Sequence, residues 1–182
     1  SDMDQVDMAQ QYREEARAKN LELIEKYEQT LRSGQIRGEQ KATVMFRLAE
    51  RYFDEGRYHY FKEMETFQAK YDECFNTPGC NLEKMVADNS ESTKWQEQSI
   101  RLYEQILTSY PNYTRADEVL FYLGTALLEI KKPDQAVRQF MRLTKNYSQS
   151  TYLPSAYIAI GEYWFERNDA YKALQQYQKA TR

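Results

Sequence analysis

Leu123-Gly124 … Ala136 … Phe140, followed by Ile160-Gly161 … Ala173 … Tyr177, is the pattern that decides the fold. In each copy a glycine is followed twelve positions later by an alanine, and four beyond that by an aromatic ring. The two glycines stand 37 positions apart. A recurrence of roughly 20–50 residues marks a stacked helical array. The small residues let the two helices of a hairpin approach closely, and the ring fills the space between hairpins. Counting backward, small residues at 49, 87, 124 and 161 step by 38, 37 and 37. This register predicts an array of about four units. It places the segment holding both cysteines where the first helix of the second unit would fall. Either that helix has become a loop, or two helices are joined through an insertion.

The composition agrees with an all-α chain. Among 182 residues there are 16 Tyr and 8 Phe but only 6 Gly and 4 Pro. Good helix formers abound, and no Val/Ile-rich alternating run suggests a strand. The formal charge is −3, with a pI near 5.4, so the basic footprint of a nucleic-acid binder is absent. No apolar run approaches the ~20 residues that cross a bilayer. Ser1-Asp2-Met3-Asp4 has no signal pattern, and Lys179-Ala180-Thr181-Arg182 stops inside a helical pattern. The chain is therefore expected to be a segment of a longer protein or complex.

Along the chain, residues 1–34 form a long amphipathic N-terminal helix with an apolar stripe of Met8, Tyr12, Ala16, Ile24, Tyr27 and Leu31. It lacks a sustained heptad and is expected to pack back on the first hairpin. Residues 39–182 form a superhelical domain. Its first helix runs over about 40–55 and ends at Gly56, which suits a left-handed terminus; the next runs over 57–75. Residues 74–92 read as an irregular loop with one helical turn near 82–86. Thr93 with Gln96, and Thr114 with Asp117, resemble capping boxes opening helices to about 109 and 130. Pro133 opens the helix to 146. Two more helices follow, at 153–167 and 170–181.

Cys74 and Cys80 flank Phe-Asn-Thr-Pro-Gly, a turn that could bring them within bridging range. A disulfide there points to an oxidising compartment such as a periplasm. The alternative is two free thiols in a reduced cytoplasm. Two cysteines and one distant histidine fall short of a metal site, and no cofactor motif appears. His59, the only histidine, has no nucleophile or carboxylate at motif spacing and reads as a partly exposed helix residue. No catalytic residue is assigned, and the chain is not expected to be an enzyme.

The helical pairs after residue 93 resemble tetratricopeptide (TPR) repeats. The clearest unit reads Leu120, Leu123, Gly124, Leu127, Ala136, Phe140, Leu143; the last reads Tyr157, Ile160, Gly161, Trp164, Ala173, Tyr177, Ala180. Leu127 replaces a usual aromatic, and Ser148 stands where a closing proline falls. The resemblance implies a right-handed TPR-like α-solenoid of helical hairpins serving as a protein–protein interaction scaffold. In that geometry the first helix of each hairpin lines a concave groove. Carried over, the groove residues are Glu50, Phe53 and Asp54; Glu118, Phe121, Thr125, Leu128 and Glu129; and Ile158, Glu162, Phe165 and Glu166. An acidic surface studded with apolar side chains suits a basic amphipathic segment of a partner protein. The spacing and the Cys74–Cys80 segment look most like bacterial cell-envelope TPR proteins of the adventurous-gliding-motility, Tol–Pal-associated and outer-membrane-assembly-lipoprotein types. This implies a periplasmic scaffold. The alternatives are a cytoplasmic adapter for a signalling protein and a helical, non-catalytic arm of a cell-wall enzyme.

Overall fold

The computed structural model describes residues 2–181, with side chains from residue 6 onward. Its helices are α1 (Asp2–Arg32), α2 (Gly38–Phe75), α3 (Ser90–Ser109), α4 (Ala116–Glu129), α5 (Pro133–Asn146), α6 (Leu153–Phe165) and α7 (Ala170–Ala180). A single 3-10 turn at Leu82–Lys84 interrupts the segment between α2 and α3. Among the described residues there is no strand. Each helix packs mainly on its neighbours in the chain, which is the contact pattern of a solenoid.

Three hairpins make up the array, α2/α3, α4/α5 and α6/α7, so the expected four-unit register is corrected. Ala87 lies in the connection between α2 and α3 and opens no helix. Instead α2 pairs directly with α3: the Ser99 hydroxyl donates to the Ala49 carbonyl at 2.8 Å, and Phe46 and Tyr103 meet with ring centroids 5.9 Å apart. Of the two readings of the cysteine segment, two helices joined through an insertion is the one the structure adopts. The following two hairpins repeat one contact. Phe140 covers Gly124, and Tyr177 covers Gly161, each so closely that a Cβ on the glycine would collide with the ring. Lys131 and Asn168, also 37 positions apart, end α4 and α6 in the same left-handed conformation, both at φ 60°.

Gly56 does not end a helix. It lies buried in the middle of the 38-residue α2, where an added Cβ would come within 2.6 Å of the Gln96 amide nitrogen. Glycine here permits the α2–α3 approach rather than a left-handed turn. Gln96 in turn is no capping residue: its amide donates to the Phe53 carbonyl at 3.1 Å, and α3 starts three residues before Thr93. The second presumed box is also spent on tertiary contacts. Thr114 bonds Glu39 of α2, and Asp117 accepts from Ser150 in the turn before α6. Pro133 does open α5, and Asp169 caps α7 through the Lys172 amide.

At ~1.5 Å per residue α2 spans about 57 Å and α3 about 30 Å, so α2 overshoots its partner. The Ser92 amide and hydroxyl bond Glu63, marking where α3 begins alongside α2. Beyond that point α2 continues to Phe75, and residues 76–89 return along it. Helix α1 packs on α2 through Ile24 against Leu48 and Tyr52. Polar contacts reinforce it: Asn20 donates to the Arg51 carbonyl, and the Tyr52 hydroxyl to Glu28. The N-terminal part of the expected stripe is not used, since Met8 and Tyr12 are exposed.

Candidate functional site

The first helices of the hairpins, α2, α4 and α6, lie side by side and are joined by aromatic contacts. Tyr122 of α4 meets Phe46 and Phe53 of α2 with centroids 6.0 and 6.5 Å away, and Tyr152 before α6 at 6.2 Å. Phe121 stacks on Tyr152 at 4.9 Å. The i, i+3, i+4 spacing of the proposed groove residues places those of each helix on one face. Their environments then diverge from helix to helix.

On α2, Phe53 is only 7 % exposed and belongs to the core rather than to a surface. Glu50 pairs with Arg47 at 2.9 Å, and Asp54 with Arg51 at 3.1 Å. Burial pushes the Asp54 carboxyl above its ordinary value, with Arg51 and Arg57 pulling the other way. On α4, Phe121 is half-buried, and the Thr125 hydroxyl is turned back onto the Phe121 carbonyl. Glu118 is clamped by Arg115 at 2.6 Å and accepts from the Tyr152 hydroxyl at 2.9 Å. Burial and this bond to a carboxylate raise the Tyr152 phenol pKa, so the hydroxyl stays protonated and donating.

The exposed apolar side chains are concentrated further along. Leu128, Ile158 and Phe165 are 42, 48 and 61 % exposed. Glu162 accepts from the Tyr177 hydroxyl at 2.7 Å. Among the described residues no hydrogen bond or ion pair engages the side chain of Glu129 or Glu166. Leu128, Glu162 and Glu166 are brought together in a cleft of about 140 Å³ between the α4/α5 hairpin and α6, with Pro133, Val137 and Ala159 as its apolar wall. The candidate site is therefore the α4–α6 end of the face. Its α2 end is a packed and charge-paired surface.

The arginine partners were absent from the reading of the sequence. Their signal was present: Arg47/Glu50, Arg51/Asp54 and Arg115/Glu118 are all i, i+3 pairs on helices. Tyr122 and Tyr152 were also missed, because the ring cluster forms across three helices and has no local pattern. Elsewhere, His59 bonds the fully buried Glu55 at 3.1 Å and stacks on Trp95 with planes 8° apart, which is a packing role. The Cys74 and Cys80 sulfurs meet at the tip beyond α2, with Cα atoms 5.4 Å apart, inside the range a disulfide needs. Among the described residues no group of three or more His, Cys, Asp or Glu could hold a metal ion. No described helix is long and apolar enough to cross a membrane.

A solenoid of TPR-like helical hairpins is the class of fold that this geometry defines. Residues 118–150, the α4/α5 hairpin and the turn after it, match the tetratricopeptide repeat family model. Two solved structures of the putative kinesin light chain nearly identical TPR-like repeats of Podosopora anserina are similar to the chain, each at 13 % identity. The first has a TM-score of 0.39 and covers 98 % of this chain and 92 % of its own; the second has 0.35, 98 % and 94 %. At those scores the hairpin contacts, and not the superposition, carry the fold assignment. No curated protein matches the chain. Repeats of this type act as protein–protein interaction scaffolds.

Proposed function

We propose that this chain is a non-catalytic scaffold of a bacterial envelope complex, similar to the gliding-motility type, that holds a partner segment on its α4–α6 face. The observation that carries the reading is the exposure of Leu128, Ile158 and Phe165 on α4 and α6, with Leu128 and Glu166 sharing one cleft and the Glu129 and Glu166 carboxylates unpaired among the described residues. Apolar anchors supply binding energy, and unpaired charge steers the approach of a basic partner. A basic amphipathic segment fits that surface, with its apolar side chains on Leu128 and Phe165 and a lysine or arginine near each glutamate. The sulfur–sulfur approach of Cys74 and Cys80 supports an oxidising compartment for the protein.

Crosslinking pull-downs from the native cell test the binding face. The double variant Glu129→Lys/Glu166→Lys and the single variant Phe165→Ser should each lose the partner recovered with the wild type; undiminished recovery with both refutes the reading. Alkylation of thiols in intact cells, read by mass spectrometry, tests the compartment. Fully alkylated Cys74 and Cys80 would count against the envelope and favour a cytoplasmic adapter.

A further inference from the structure

A further cavity in the described structure lies away from the α4–α6 cleft. It measures about 460 Å³ and opens between α1 and α2. Five cationic side chains line it, Arg13, Arg17, Lys19, Arg51 and Arg57, against only two carboxylates, Asp54 and Glu55. Glu22 and Glu65, just outside the lining, pair with Lys19 and Arg13, which leaves a local excess of one positive charge on a chain whose net charge is −3. The charges are not equally available. Arg17 is held by Glu55 at 3.0 Å, Lys19 by Glu22 at 3.0 Å and Arg51 by Asp54 at 3.1 Å, while Arg13 reaches Glu65 only at 3.8 Å. No ion pair engages Arg57 among the described residues.

Two of the guanidinium groups are held in place by aromatic faces. Arg13 sits 3.8 Å above the Phe61 ring, and Arg17 4.3 Å above that of Tyr58. Stacking fixes the plane of a guanidinium and leaves its edge to bond a carboxylate; on Arg17 that edge already holds Glu55, so of the two Arg13 is the one available to a ligand. Beside them, Ala16, Leu23 and Phe61 supply an apolar floor. From Arg51 to Phe61 the lining of α2 covers about 15 Å at ~1.5 Å per residue. That is the length of four or five residues of extended chain at ~3.3 Å each. A single small anion would satisfy only one end of such a site.

We infer that the α1–α2 cavity is a second binding site, one that takes a short acidic segment of a protein partner with an apolar side chain between its carboxylates. Arg13 and Arg57 bind the carboxylates, and the floor by Phe61 takes the apolar side chain. Arg17 stays on Glu55 and keeps α1 docked. The site is opposite in charge preference to the α4–α6 face, and it stands whether or not that face binds a basic segment.

Fluorescence polarisation with the full chain tests this, using a fluorescein-labelled six-residue peptide of alternating glutamate and leucine. Saturable 1:1 binding is expected, weakening as salt rises from about 50 to 300 mM. Arg57→Glu alone should weaken it severalfold, and Arg13→Glu/Arg57→Glu by about tenfold or more. Phe61→Ala should also weaken it, whereas Glu129→Lys/Glu166→Lys should leave it unchanged. Circular dichroism of each variant establishes that α1 and α2 remain folded. Arg57 is exposed and has no ion pair among the described residues, so its variant reports on the site even if Arg13→Glu loosens α1. Unchanged affinity in Arg57→Glu overturns the assignment, as does full displacement of the peptide by a few millimolar inorganic phosphate, which would reveal a simple anion site. Self-association of the chain that Arg57→Glu abolishes would overturn it too, in favour of a second copy.

Discussion

Replacing Gly124 by alanine probes the contact on which the hairpin geometry depends. A Cβ there would lie 2.6 Å from Cε1 and Cζ of Phe140. Phe140 is 2 % exposed, packs on Phe121 at 5.9 Å and borders the α4–α6 cleft, so its ring can give way only in part. Overpacking of this kind costs about 1–3 kcal/mol. Alanine is also the better helix former, by about 1 kcal/mol, which offsets part of the cost. The net expectation is a loss of up to about 2 kcal/mol, equivalent to a fall in Tm of up to roughly 8 °C for a chain of this size. Thermal and urea unfolding followed by circular dichroism at 222 nm measure it. Shrinking the ring in Phe140→Leu should remove the clash, so the double variant should be more stable than additivity predicts, by about 1–2 kcal/mol. A Gly124→Ala variant more stable than the wild type, or strict additivity with Phe140→Leu, would refute the close approach.

Other expectations follow from single contacts. Arg17→Ala leaves the buried Glu55 carboxylate with His59 alone and should destabilise by about 3 kcal/mol; hydrogen exchange should show α1 amides opening first, and protection equal to wild type would contradict this. Lys131→Gly, at φ 60°, should stabilise by up to about 1 kcal/mol by removing the strain of a left-handed side chain, and a loss in urea unfolding would count against it. Burial raises the phenol pKa of Tyr52 and Tyr103 above the ordinary 10.0, as it does for Tyr152. The folded state therefore holds these protons more tightly than the unfolded chain. Their contribution to stability is complete below pH 10.0 and is lost as the pH rises above it. In an alkaline titration at 295 nm these phenols should ionise only together with loss of the 222 nm signal; ionisation of all 16 tyrosines with helicity intact would be the contrary result.

The part of the fold that the sequence made legible is α4 to α7, where each helix is short, starts or stops at a recognisable residue and repeats after 37 positions. Legibility failed at α2 because Gly56 carries two physical readings. A glycine can end a helix or let another helix approach, and only the presence of Gln96 across the interface decides between them. The same ambiguity affected Gln96 and Asp117, whose side chains could cap a helix locally but bond distant elements instead. The step from 49 to 87 matched the period by coincidence, since an insertion of nearly one helix length preserves the count while removing a helix. For the site, the faces of α4 and α6 could be written down from spacing alone. Its charge could not, because a carboxylate three residues after an arginine contributes little net field. The α1–α2 cavity was invisible for a different reason: its residues are about 40 positions apart and meet only when α1 folds back.

The central claim is that a partner segment lies on the α4–α6 face, and site-specific photo-crosslinking in the native cell tests it most directly. Benzoylphenylalanine placed at Leu128 should capture a discrete partner, and the same group at Gln105, exposed on α3, should not. Capture from Gln105 with none from Leu128 would contradict the account.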